Sequence, residues 1–144
     1  MKKIIISAVF LACLATTAIA QIPDNIQSYF QYKYPGVRIQ MIERIDNGYV
    51  GYVASFSKEG ENGAAYFDEY GRWLRTEVNF SGKSVPDAIK VSLENGKYNG
   101  YTVEKAKLIE TPASQVFTVS VNADTITNQD QYVYCTSTGN CWDK

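Results

Sequence analysis

The chain has 144 residues, with 14 Lys and Arg against 15 Asp and Glu, and no histidine. A net charge of −1 without a basic run is a poor match for nucleic acid. The missing histidine excludes Ser-His-Asp and Cys-His nucleophile systems and every histidine metal site, but not carboxylate or lysine chemistry.

Residues 1–20 have the form of a secretory signal: Lys2 and Lys3, an apolar run from Ile4 to Leu14, then Ala18-Ile19-Ala20. The run is short for a bilayer span. Export with cleavage before Gln21 is expected, to a periplasmic or secreted location, leaving 21–144 as a single domain. Acylation of Cys13 is the competing reading, and Phe10 fits that pattern poorly. Cys13 leaves with the signal, so Cys135 and Cys141 remain, and an even count in an oxidising compartment reads as a disulfide. Two cysteines without histidine are too few ligands for zinc.

Pro23-Asp24-Asn25-Ile26 opens a helix over 23–34, with Ile26, Tyr29, Phe30 and Lys33 on one face. Pro35-Gly36 stops it. Val37 to Ile45 alternates as a strand, with Val37, Ile39, Met41 and Ile45 inward. Asp46-Asn47-Gly48 is a hairpin turn, and Tyr49 to Phe56 is the second strand. A polar loop, Ser57 to Asn62, leads to a third strand at Gly63–Phe67. Asp68, with Gly71 left-handed after it, makes a three-residue loop of Glu69-Tyr70-Gly71, pairing Asp68 with Arg72 and Phe67 with Trp73. Strict alternation then puts Leu74, Thr76, Val78 and Phe80 in the core, and Trp73, Arg75, Glu77 and Asn79 on the outer side.

The pattern restarts at Ser84, read as the N-cap of a helix over 85–96 with Val85, Ala88, Ile89, Ser92 and Leu93 inside. Strands follow at Tyr101–Ile109, Val116–Val121 and Gln131–Cys135, and the last leads a closing hairpin. The halves align as an internal repeat, about 22–80 and 84–144. Val85-Pro86-Asp87 matches Ile22-Pro23-Asp24, Tyr98-x-Gly100 matches Tyr34-x-Gly36, and Gly139 matches Gly71. That alignment sets Cys135 and Cys141 where Phe67 and Trp73 stand.

The signal, Tyr34-Pro35-Gly36, Phe67-Asp68-x-x-Gly71-x-Trp73-x-x-Thr76-Glu77, Val85-Pro86 and Tyr98-x-Gly100-Tyr101 together resemble the PepSY-like, β-lactamase-inhibitor-like family of small exported bacterial proteins. The resemblance implies an α+β fold: two tandem helix-plus-four-strand repeats forming one curved antiparallel sheet, with both helices on one face. It also implies a non-enzymatic binder or inhibitor that uses the open sheet face, with an envelope protein or peptide as partner and no cofactor.

The chemical alternatives are weak. Ser55-Phe56-Ser57-Lys58 has the spacing of a serine acyltransferase motif but sits at a strand end without the companion elements. Glu59 with Glu61, and Asp68 with Glu69, are loop or turn carboxylates. Calcium at Asp68 and Glu69, or at Asp124, Asn128 and Asp130, makes a small-ligand or calcium-binding envelope protein the alternative class. Eleven tyrosines, with Trp73 and Trp142, favour a binding face. Its expected centre is Phe67, Trp73, Arg75 and Glu77, with Tyr49 and Tyr70 beside them.

Overall fold

The computed structural model describes residues 22–46, 50–123 and 131–143. The signal segment, the Asn47-Gly48 turn, Tyr49 and the acidic stretch at Asp124, Asn128 and Asp130 lie outside them.

Helix α1 spans Asp24–Lys33, and strands β1 (Ile39–Asp46), β2 (Val50–Lys58), β3 (Glu61–Asp68) and β4 (Trp73–Ser81) follow. Helix α2 spans Asp87–Glu94 and precedes β5 (Thr102–Glu110), β6 (Gln115–Asn122), β7 (Gln131–Cys135) and β8 (Cys141–Asp143). The eight strands form one sheet in chain order, each antiparallel to the next.

Each helix covers its own half. Ile26 and Phe30 of α1 pack on Tyr52, Ala54, Phe56, Ala65 and Phe67. Ile89 and Leu93 of α2 pack on Ala106, Phe117, Val119, Val121 and Val133. Val78 belongs to the first group and Phe80 to the second. Two residues apart on β4, they point to the same side, so both helices lie on one face.

The repeat is visible in matching bonds. Ile26 N donates to Pro23 O as Ile89 N does to Pro86 O, and Val37 N to Tyr34 O as Tyr101 N to Tyr98 O. Gly71 and Gly139 close equivalent three-residue loops with φ of 75° and 86°. A Cβ at Gly71 would stand 2.2 Å from Asn25 Oδ1, and one at Gly139 2.5 Å from Ala88 O. Each loop therefore needs glycine twice, for its left-handed backbone and for the approach of the helix start.

Four expectations are corrected. The polar loop Ser57–Asn62 does not exist as such: β2 and β3 run on to pair Lys58 with Glu61 across Glu59-Gly60. Both turn residues have positive φ, 54° and 87°, the mirror-image turn that suits strand twist. Ser84 caps nothing. A 3-10 turn at Gly82–Ser84 intervenes, Ser84 Oγ bonds Ser81 Oγ, and Pro86 holds the N-cap position. On β1 a register shift between Ile39 and Met41 turns Met41 and, four residues on, Ile45 to the outer side and brings Ile42 into the core. On β4 a shift opposite Tyr66 and Phe67 inserts Leu74, so Trp73 faces the helix and Leu74 is exposed.

Cys135 and Cys141 stand directly opposite each other, 4.1 Å apart at Cα, and are disulfide-bonded. The closed loop is short, so chain entropy gives about 2 kcal/mol. Reduction is expected to fray β7 and β8 while leaving the domain folded. Hydrogen exchange with and without reductant checks this, and unchanged protection from Tyr132 to Trp142 would refute it.

Candidate binding face

The four central site candidates divide between the two faces. Phe67 is 2% exposed beneath α1, with its ring 5.3 Å from Tyr29. Trp73 is half-buried on the same side. It stacks on Tyr29 at 5.4 Å and donates from Nε1 to Thr76 Oγ1 at 2.9 Å. The expected grouping of Trp73 with Arg75 and Glu77 is thus corrected: the Leu74 bulge reverses the alternation between them. Tyr70 sits exposed at the hairpin tip, with its carbonyl accepting from Asn25 Nδ2 at 2.8 Å.

Arg75 and Glu77 do face the open side. The Arg75 guanidinium lies 3.8 Å over the Tyr66 ring. Arg75 Nε donates to Glu77 Oε1 at 2.9 Å, and Lys107 Nζ lies 3.4 Å from Glu77 Oε2. Burial works to raise the Glu77 carboxyl, but the bonds and charges of Arg75 and Lys107 outweigh it and hold it below the usual range.

The open face continues where no candidate was placed. Val133 and Cys135 are buried under α2, so Tyr132 and Tyr134 of β7 point the other way. Tyr134 pairs with Trp142, and their rings stack at 6.3 Å. Tyr132 and Trp142 are about half exposed, at 53% and 46%. The signal for these residues was the Cys135–Cys141 pairing itself, which sets Tyr134 opposite Trp142 one step along.

A concavity of about 600 Å³ lies on the helix side, over Val78, Phe80 and Leu108. At its wall Glu110 accepts from Lys33 Nζ at 2.5 Å, Gln115 Nε2 at 3.0 Å and Tyr34 OH at 3.4 Å. Burial pushes the Glu110 carboxyl up, and these donors with the Lys33 charge bring it below the ordinary range. Tyr29, by contrast, is raised far above a normal phenol by burial. Glu59 lies in the two-residue turn and Glu61 begins β3 beside it. Among the described residues no group of three or more His, Cys, Asp or Glu is placed to hold a metal, and no helix is long and apolar enough to cross a membrane.

The family model described as "putative beta-lactamase-inhibitor-like, PepSY-like" matches the chain twice, over residues 15–61 and 50–142. A BLIP-like protein of Bacteroides fragilis has a similar structure: TM-score 0.61, 25% identity, covering 85% of this chain and 84% of that one. A DUF2874 family protein of Bacteroides ovatus gives TM-score 0.59 and 23% identity, covering 83% and 84%. A Bacteroides eggerthii protein described as "putative periplasmic" gives 0.57 and 18%, covering 84% and 86%. No curated protein matches.

Proposed function

The chain belongs to the PepSY-like, β-lactamase-inhibitor-like family, and from that premise we propose that it is an exported, non-enzymatic binding or inhibitor-type protein that holds a protein or peptide on its open sheet face. One observation carries the reading. The two helices cover one side of the sheet, and on the other lie the exposed Tyr132 and Trp142, the half-buried Tyr134 and Tyr66, and Arg75, Glu77 and Lys107, with Arg75 over the Tyr66 ring. Tyrosine, tryptophan and arginine supply most interface energy, because they bury much area for little rotamer entropy. Asp68, Glu77 and Glu110 all have lowered pKa values, whereas a general acid at neutral pH needs a raised one. The disulfide and the signal-like start fit an oxidising, extracytoplasmic setting.

Capture from bacterial envelope extract tests the reading. The Tyr134→Ala/Trp142→Ala protein should keep its fold, losing about 1 kcal/mol or less from two partly exposed side chains. It should lose at least tenfold in captured partner, as aromatic anchors do. Capture equal to wild type would refute the open face as the binding surface.

A further inference from the structure

The open face of the second repeat contains a groove of about 440 Å³ with its own chemistry. Asn79, Lys105, Lys107, Thr118, Ser120 and Tyr132 line it, and among the described residues no carboxylate does. On a chain of net charge −1 this is a local cationic site. Lys105 and Lys107 flank the buried Ala106, so both ammonium groups leave the sheet on the open side. Among the described residues Lys105 has no ion-pair partner, and Lys107 has only the 3.4 Å approach to Glu77.

The floor holds the second observation. Ser120 is 1% exposed, and among the described residues its Oγ has no hydrogen-bond partner. A buried hydroxyl left unpaired is costly, and such orphans are uncommon. Ser120 stands directly between Lys105 and Tyr132 in the register. Both neighbours are long side chains on the open face, so a ligand that displaces the Lys105 stem reaches the hydroxyl.

We infer that this groove takes the carboxylates of an extended acidic peptide segment of the partner. The inference rests on the binding-face reading above and names the partner's chemistry. Two lysines at i and i+2 on one strand repeat at about 7 Å, the same spacing as alternate side chains of an extended chain. A Glu-x-Glu segment therefore meets Lys105 and Lys107 together, and one carboxylate oxygen accepts from Ser120 Oγ. Tyr132, with Tyr134 and Trp142 beyond it, supplies an apolar surface for flanking residues.

Calorimetry at low salt with an acetylated, amidated Tyr-Glu-Thr-Glu-Tyr peptide tests this, with its Gln-for-Glu counterpart, trigalacturonate and inorganic phosphate as comparison probes. The acidic peptide should bind at least tenfold tighter than each of the three. Lys105→Gln/Lys107→Gln should weaken it at least tenfold. Ser120→Ala should weaken it several-fold and keep or raise the thermal midpoint, since no internal bond is lost. A merely structural serine would do the reverse. Equal affinity for the glutamine peptide, equal binding of trigalacturonate or phosphate, undiminished binding to the lysine variant, or a lower midpoint with unchanged affinity in Ser120→Ala would each overturn the inference. Partner capture that depends on Tyr134 and Trp142 but not on the lysines would overturn it alone. Capture indifferent to the aromatic pair would instead overturn the binding-face reading.

Discussion

Phe67→Ala is expected to destabilise the protein by about 3–5 kcal/mol, the range for removing a buried phenylalanine. Phe67 is 2% exposed. Its ring meets Tyr29 edge-on at 5.3 Å and Phe30 at 6.4 Å, and its backbone pairs with Trp73. Removing it leaves a cavity between α1 and β3 that neighbouring rings, each locked against another, cannot refill. Domains of this size have roughly 5–15 kcal/mol in total, so the variant should be marginal at physiological temperature. Urea unfolding measures the loss. A shift below about 1 kcal/mol would contradict the packing described. The result also separates folding from binding. Any drop in partner capture by Phe67→Ala should follow the unfolded fraction, whereas Tyr134→Ala/Trp142→Ala should lose capture while folded.

Glu110→Gln should cost about 2 kcal/mol at pH 7, the scale of hydrogen bonds to a charged group. Glu110 is 6% exposed on β5 of the second half, and its main donor, Lys33, ends α1 of the first. The pair thus ties the repeats together across the helix-side cleft. Lys33 is 36% exposed at its side chain, so solvent screening keeps the cost below that of breaking a fully buried pair. The pH dependence follows from the lowered carboxyl. A group whose folded pKa is depressed stabilises the fold above its unfolded value, about 4.3 for glutamate, and loses that contribution as pH falls through the folded value. Wild type should therefore lose stability on acidification below about pH 5. The difference between wild type and Glu110→Gln should shrink towards zero over the same interval. Urea midpoints from pH 7 down to pH 3 check this, and a difference independent of pH would refute it.

Local chemistry made much of this fold readable. The hairpin at Asp68 to Arg72 was legible because its residues suit their places. Asp68 Oδ1 accepts from Tyr70 N and Arg72 N, its Oδ2 from Arg72 Nε, and only Gly71 takes the left-handed position. The same logic transferred to Gly139 and placed Cys135 opposite Cys141. Helix faces were plain in part: Ile26 with Phe30 and Ile89 with Leu93 recur at helical spacing and are buried, whereas Ala88, read as inward, is exposed.

The sequence by itself therefore determined the order of elements, the hairpin turns at Gly71 and Gly139 and the cysteine pairing, because these depend on contacts within a few residues. Only the tertiary structure decided which aromatic residues face out. Alternation assigns sides correctly until a strand gains one residue relative to its neighbour, and that gain is a property of the hydrogen-bonded pair. Leu74 is such a residue: it sends Trp73 under α1 while Arg75 and Glu77 stay on the open face. The Lys33–Glu110 contact spans 77 positions and exists only because β4 and β5 join the repeats edge to edge. The outward surface of Tyr132, Tyr134 and Trp142 is likewise set by the register of β6, β7 and β8, which no single strand encodes.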